Sequence, residues 1–505
     1  MPLEPERDIR YGLSWLAVAA GAVLLVYLLM IPPVVGVADN GDFIRVMGAA
    51  GIAYPDPQES YADRYFGYAH REFGYGGYTS GGYVSTHVVL VAIAGWIGRL
   101  FNSRVFDIRV LGACYSILML AAVGLLVRHA PATRSRVLTG LVAGLLGAAL
   151  LIVFGDIGYA AYFQSFFGEP FALVGMLLAV ACAVALARSR QPSAWLFAGF
   201  IAAAIAVATS KIQNAPLGFA FAVLAWRMLA LRADRFWHRR VLAGTGVLLL
   251  ASVLMIAIAP DKLRHINLYQ TIFFGILKDS PDVSGDMREL GIPERYAGLA
   301  GTNFFQKDTV IPQNDPALRE DVLEKLGHRD IALFYLRHPG RFADKLAKGA
   351  DHGVALRPYY LGNYDKREGR ERGDLIFAFS GWSEWKRTHM PHTLGWFTGF
   401  FAGYLAILAL WWKRMRSRAA RLVAETFAVV ALAGLFSWMV PLVGDGEADI
   451  GKHLFMFNVC FDMMILSALI GVVHAAAYGI ASRRTARRGK GERGMTGEAR
   501  QVHHD

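Results

Sequence analysis

The chain has 505 residues, of which 55% are hydrophobic and only 18% charged, with a formal net charge of +12 and a mean hydropathy of +0.35. Apolar runs of about 18 residues or more recur along its length, which excludes a soluble globular protein and indicates a polytopic membrane protein. The arginines cluster between those runs and at the C-terminal end, so the positive balance is a topology signal and gives no reason to expect a nucleic-acid partner. The three cysteines, Cys114, Cys182 and Cys460, lie inside apolar runs, where they serve packing and no disulfide framework is indicated.

In chain order the apolar runs fall near 13–31, 83–100, 107–127, 137–155, 170–187, 194–209, 215–231, 241–259, 393–412, 421–443 and 454–481. The basic loops 128–136, 188–190, 227–240, 413–421 and 483–493 share one face only if the run at 83–100 does not cross. The stretch "YVSTHVVLVAIAGWIGRLF" (83–101) is therefore expected to lie along or dip into the outer leaflet. About ten spans remain. Both termini are then cytoplasmic, and the loops 32–106, 156–169, 210–214, 260–392 and 444–453 are extracytoplasmic. "GVA" before Asp39 resembles a small-residue cleavage site, although the first run is long for a signal peptide, and with or without cleavage Asp39 faces outward.

These boundaries divide the chain into an N-terminal transmembrane module (1–259, seven spans), an extracytoplasmic domain (260–392), a C-terminal transmembrane module (393–481, three spans) and a basic cytoplasmic tail (482–505) expected to be disordered. The fold class is all-α.

Nearly every unusual polar residue falls on the outer side. Asp39 and Asp42 follow the first run; Asp156 and Glu169 sit in "FGDIGYAAYFQSFFGEP"; Lys211, Gln213 and Asn214 sit in "TSKIQNAP". "GDGEADIGKHLFMFN" adds Asp445, Glu447, Asp449, Lys452 and His453. Taken singly each has a structural explanation, Asp39 or Asp42 as a cap, Glu169 as a helix start and Lys452 as a snorkelling cation. Their segregation to one face is what a site at the membrane surface requires, because ionisable groups near apolar helix ends are costly.

The first loop continues as "YFGYAHREFGYGGYTSGGYVSTH" (65–87), whose tyrosines, Tyr75 and Tyr78 among them, suit stacking on a sugar ring and equally suit an interfacial aromatic belt. In the 260–392 insert, Arg337, Arg341, Lys345 and Lys348 interleave with apolar residues at helical spacing, as in a helix lying near lipid phosphates. "RPYYLGN" (357–363), with Arg357, Tyr359 and Tyr360, reads as a binding loop. No Walker-type or dinucleotide-binding glycine motif, no Ser-His-Asp set and no zinc spacing occurs, so an activated substrate would have to arrive from the membrane.

The strings "ADNGDFIR", "FFGEP", "TSKIQN" and "DIGKHLFMFN", in a layout of an acid after the first span, a long aromatic first loop and a large outer domain, resemble the GT-C glycosyltransferases. More narrowly they resemble the bacterial hexosyltransferases of cell-surface and S-layer glycan assembly. The resemblance implies a polyprenyl-phosphate sugar donor, a glycan or lipid-linked acceptor and an active site on the outer face of the bacterial plasma membrane. It places the first-loop acid on Asp39 or Asp42, with Arg45 six positions after Asp39 as in oligosaccharyltransferase relatives, and the second-loop acid on Asp156 or Glu169. The superfamily allows a divalent metal, Mg or Mn, without requiring one, and this chain lacks a clear Asp-x-Asp in that loop.

A hydroxyl acceptor needs a carboxylate to take its proton, a contribution of about 10² to 10⁴ in rate; Asp39 and Asp42 are the candidates. The departing lipid phosphate needs fixed cations, for which Lys211, Arg357, Lys452 and His453 are available. One base and a cation clamp imply inversion in a single displacement. Two other classes compete. A glycan polymerase or ligase would depend more on the 341–357 region, and a lipid-linked glycan flippase would want charges along the middle of several spans, which are almost free of them.

Overall fold

The structure, a computed structural model, describes residues 8–78 and 85–501, with side chains through residue 482. Apolar sequence in a bilayer must satisfy its own backbone groups, and long helices do so. Their starts follow the sequence: Asp8, Ser135, Ser193, Asp234, Thr393 and Ser417 each accept a hydrogen bond from a backbone N–H of the first turn.

Among the described residues nine helices are long and apolar enough to cross a membrane: Ile9–Leu29, Arg109–Arg128, Arg136–Phe154, Gly168–Arg188, Ile212–Leu231, Arg235–Ala257, Leu394–Arg414, Arg418–Gly444 and Phe455–Ser482. The apolar helix Ala194–Ser210 has 17 residues and packs along Gly168–Arg188. Nine of about ten expected spans are thus long and apolar enough to cross, and we number these nine together with Ala194–Ser210, as the fifth, in chain order. The fourth span, Gly168–Arg188, is the hub, 94% buried and packed by the second, fifth, ninth and tenth. Its alanines and two glycines let four neighbours approach closely where no hydrophobic effect drives helices together.

The loops sort onto two ends as the charge pattern predicts. At one end Arg10 donates to the Ala130 carbonyl at 2.8 Å and Arg232 to that of Pro192 at 3.1 Å, while Arg227 pairs with Glu425 at 2.8 Å. Arg188 reaches the His129 carbonyl at the same end. The opposite end gathers the first loop, the segment 339–392 and the connection 445–454.

His87–Phe101, at 15 residues, is too short to cross. Val89, Ile93, Trp96 and Leu100 form an exposed stripe, while Val91, Ala94, Gly95 and Gly98 are covered. The start of the expected 83–101 helix, residues 83 and 84, lies outside the described residues. One feature the sequence reading missed is a small antiparallel sheet in the first loop, β1 (Ile52–Ala53), β2 (Glu72–Tyr75) and β3 (Val105–Asp107), in the order β1-β2-β3.

The 260–392 region divides in two. Leu268 to Tyr335 builds a hydrophobic core of its own, whereas Ala350, Val354, Leu356, Leu361 and Ile376 join the core of the membrane bundle. The cations expected near lipid phosphates are engaged within the protein instead. Arg337 pairs with Glu289 at 3.3 Å, Arg341 with Asp286, Lys345 with Glu447 at 2.6 Å and Lys348 with Glu447 at 2.9 Å. Those acids lie far off in sequence, so helical spacing alone could not reveal them. The tenth span continues as helix to Gln501, through most of the segment whose composition points to disorder.

Candidate functional site

Residues 35–38 are fixed by pairing with the "RPYYLGN" loop: Gly36 N–H donates to the Asn363 carbonyl and Ala38 N–H to that of Gly362, both at 2.9 Å. Glycine is needed at 362, because a Cβ there would stand 2.0 Å from the Gly67 carbonyl oxygen. Asp39 then turns the chain. Its Oδ1 accepts from Gly41 N–H (2.7 Å) and Phe43 N–H (3.1 Å), and its Oδ2 accepts from the Tyr54 hydroxyl (2.8 Å). The residue is 1% exposed, and burial raises its carboxyl above the usual range despite those bonds. Asp39 is thus a cap behind the site, and its turn carries Asn40 and Asp42 forward to meet the connection between the ninth and tenth spans.

Lys452 is the centre of that meeting. Its Nζ donates to Asp42 Oδ2 at 2.5 Å and to Asn40 Oδ1 at 3.0 Å, stands 3.9 Å from Asp449 Oδ2, and lies 4.0 Å from the centroid of the Phe167 ring. Arg45 closes on the other carboxylate oxygen of Asp42 at 2.9 Å. Burial alone would raise Asp42, but the charges of Lys452, Arg45 and Lys211 outweigh it and hold the carboxyl far below the usual range. Next to this group Lys211 donates to the buried Glu169 at 2.6 Å. His453 bridges Asp445 (Nε2, 2.9 Å) and Gln213 (Nδ1, 2.9 Å), and Gln270 donates to Asp445 at 2.8 Å.

All of these groups except Lys452, Glu169 and Phe167, which are buried directly behind them, line one end of a cavity of about 1380 Å³. Asp42, Arg45, Lys211, His453, Asp445 and Asp449 form its polar end, while Ile212, Ile256, Phe436, Met439 and Val440, from the membrane-facing ends of the sixth, seventh and ninth spans, form an apolar wall. Tyr61, Tyr65, Phe66, Phe305 and Tyr360 are also on its lining.

The structure brings together Asp42, Arg45, Lys211, Lys452, His453 and Tyr360, with Glu169 directly behind Lys211. Other candidates go elsewhere. Asp156 caps the turn at 157–160, accepting from Gly158 N–H at 2.7 Å and from Ser383 N–H at 2.9 Å. Arg357 donates to the Ile376 carbonyl and pairs with Glu384 at 3.1 Å, and Tyr359 donates to the same carboxylate at 2.9 Å. Tyr75 lies under Arg99 in β2, and Tyr78 is 72% exposed against Gly51. None of these five lines the cavity.

Sequence reasoning missed Gln270, Asn303, His328 and Tyr61 on the lining, residues with no distinguishing spacing, whereas Tyr65 belongs to the tyrosine-rich stretch 65–87 offered for sugar stacking. It also missed the ion pair of Lys386 with Asp462 at 2.7 Å, for which an aspartate inside an apolar run was the available signal. Among the described residues no group of three or more His, Cys, Asp and Glu is placed to hold a metal ion. Asp42 and Asp449 face Lys452 instead, so the donor set does not fit the divalent cation that the resemblance allows.

A bundle with nine helices long and apolar enough to cross a membrane among the described residues, and a largely apolar cavity with a charged end opposite the arginine-rich loops, is a polytopic α-helical membrane protein. The family described as YfdI N-terminal transmembrane domain matches residues 6–493, nearly the whole chain, and the chain belongs to it. No curated protein and no solved structure shows significant similarity to it.

Proposed function

We propose that the protein is an integral membrane glycosyltransferase that moves a hexose from a polyprenyl-phosphate donor to a glycan or lipid-linked acceptor. The observation that carries this reading is the amphipathic cavity. An apolar wall at helix ends suits a lipid chain, and the polar end offers cations for a phosphate beside carboxylates for a hydroxyl proton. Taking the arginine-rich end as cytoplasmic by the positive-inside rule supports a cavity that opens on the extracytoplasmic face, in the bacterial plasma membrane that the sequence resemblance implies. Membership of the YfdI transmembrane family agrees with the membrane-embedded part of the reading.

The chemistry follows from the pairs. Lys452, Arg45 and Lys211 are each held by a carboxylate, so an arriving phosphate exchanges with Asp42 for Lys452 and Arg45 and receives preformed hydrogen bonds. The acceptor oxygen attacks the anomeric carbon as a cavity carboxylate takes its proton, and the bond to the phosphate oxygen breaks with inversion. Of the two first-loop acids, Asp42 reaches the cavity and Asp39 does not. A polymerase would draw on Arg341 and Arg357, and both are engaged by Asp286 and Glu384.

The test is release of polyprenyl phosphate by the full chain in nanodiscs supplied with synthetic polyprenyl-phosphate hexoses and a hydroxyl acceptor. Wild type consumes at least one donor, and Lys452→Met, still folded, loses roughly 10²-fold or more. No consumption of any donor by wild type contradicts the reading.

A further inference from the structure

The two acids nearest Lys452 are held in opposite ways. Asp42 is clamped by Lys452 at 2.5 Å and Arg45 at 2.9 Å. Asp449 has only one oxygen engaged: Oδ2 accepts from Asn40 Nδ2 at 2.9 Å and lies 3.9 Å from Lys452, while Oδ1 is buried without a hydrogen-bond partner, on a residue that lines the cavity.

Its backbone adds a second, independent sign. Asp449 has φ +48° and ψ +33°, the left-handed region that costs a side-chain-bearing residue energy and that glycine would occupy without strain. The strained turn opens the short helix Ile450–His453, which carries Lys452 and His453. Burial raises the Asp449 carboxyl against the opposing charges of Lys452, His453 and Lys211, and the negative charge of Asp42 raises it further. That makes it the better proton acceptor near neutral pH, whereas the depressed Asp42 is a weak base.

We propose that Asp449, and neither Asp39 nor Asp42, is the general base of the transfer. The free Oδ1 takes the proton of the acceptor hydroxyl as that oxygen bonds to the anomeric carbon. The carbon–oxygen bond to the donor phosphate breaks, and the lipid phosphate leaves with the electron pair toward Lys452. The proton on Asp449 passes to water after the product departs. Asp42 is the anion that positions Lys452 and Arg45, and Asn40 sets the orientation of Asp449. The assignment rests on the transferase reading above.

The experiment compares wild type, Asp449→Asn and Asp42→Asn as full chains in nanodiscs, measuring kcat, KM for the donor and dependence on acceptor acidity. Asparagine tolerates the left-handed backbone, and Asp449→Gly, which relaxes it, serves if the first variant misfolds. Asp449→Asn lowers kcat by about 10² to 10⁴ with an alcohol acceptor while donor binding stays within about threefold, and a phenol acceptor, which ionises more easily, recovers much of the rate. Asp42→Asn mainly raises KM for the donor and keeps the wild-type dependence on acceptor acidity. The assignment is overturned if Asp449→Asn and Asp449→Gly turn over within about fivefold of wild type, if their loss is the same for alcohol and phenol acceptors, or if Asp42→Asn shows the acceptor-acidity signature. A wild type that consumes no donor overturns the transferase reading itself, and this assignment with it.

Discussion

Two charged clusters occupy the same end of the bundle, built from the same residue types, and they are closed to very different degrees. In one, Lys386 donates to Asp462 Oδ1 at 2.7 Å, and Tyr159 and Trp382 donate to Oδ2 at 2.7 and 3.0 Å. Asp156 beside it has a backbone N–H on each oxygen. Lys386 and Asp462 are completely buried and line no cavity. In the other, around Lys452, Asp449 Oδ1 and Glu169 Oε2 have no hydrogen-bond partner, and Asp42, Lys211, His453 and Asp449 face open space. A charge near a helix end in a membrane protein is a candidate for function by default. The comparison shows that what separates the staple from the site is an unsatisfied oxygen beside a cavity, not the presence of the charge.

The largest expected effect breaks the closed cluster. Lys386→Met leaves Asp462 buried and unpaired, a loss of about 3 to 5 kcal/mol, read as a marked drop in the unfolding temperature in detergent. The double variant Lys386→Met with Asp462→Leu recovers most of it, since a packed apolar pair can replace a buried ionic one. Equal instability of the single and double variants would show that the pair is not the staple described.

At the cavity the order of effects reverses. Lys452→Met leaves Asp42 still paired with Arg45, so its unfolding temperature falls less than that of Lys386→Met while turnover falls by roughly 10²-fold or more. A variant that unfolds as readily as Lys386→Met would place Lys452 among the structural groups.

Asp39 and Asp42 separate by pH. The folded carboxyl of Asp39 is raised by burial, so its contribution to stability is fully present below the unfolded value of about 3.9 and is lost as pH rises through the folded one. Asp42 is depressed by Lys452 and Arg45 against its burial, so its contribution is present above about 3.9 and is lost as pH falls through the folded value. Wild type therefore loses stability relative to Asp39→Asn as pH rises from about 4 toward neutral, whereas relative to Asp42→Asn it is level over that range and loses stability only as pH falls below about 4. Unfolding temperatures of the three proteins on both sides of about pH 4 check the two windows. Asp39→Asn also keeps its turnover, because the residue does not reach the cavity.

The smallest effect is expected of Tyr359→Phe, which removes one partly exposed hydrogen bond to Glu384. It should cost about 1 kcal/mol or less and leave turnover unchanged; a clear loss of turnover would restore Tyr359 to the site.

Hydropathy and the arginine loops were enough to read the spans and the sorting of loops onto two ends, because length, apolarity and charge at helix ends are local properties. The same holds for Lys211, Lys452 and His453, marked by being polar beside apolar runs. Arg357 shows where local reading stops. Its neighbours Tyr359 and Tyr360 suggested a binding loop, yet its charge is met by Glu384 from a later helix, and the backbone of 362–363 pairs with 36–38. Asp39 and Asp42 were indistinguishable in sequence because which of two carboxylates three residues apart caps a turn depends on Tyr54 and Lys452, brought there by tertiary contacts. The same is true of the split of 260–392, since core membership is decided by packing and not by periodicity.

The central claim is that a lipid phosphate occupies the cavity beside Lys452. It is tested most directly by photo-crosslinking the full chain in nanodiscs with a polyprenyl-phosphate analogue that carries its photoreactive group next to the phosphate, followed by peptide mapping. The account predicts labelling of the segments 40–45 and 436–453, suppressed by excess unlabelled polyprenyl phosphate and weakened in Lys452→Met. Labelling confined to the exposed aromatic residues around Trp385, or labelling that Lys452→Met leaves unchanged, would contradict it.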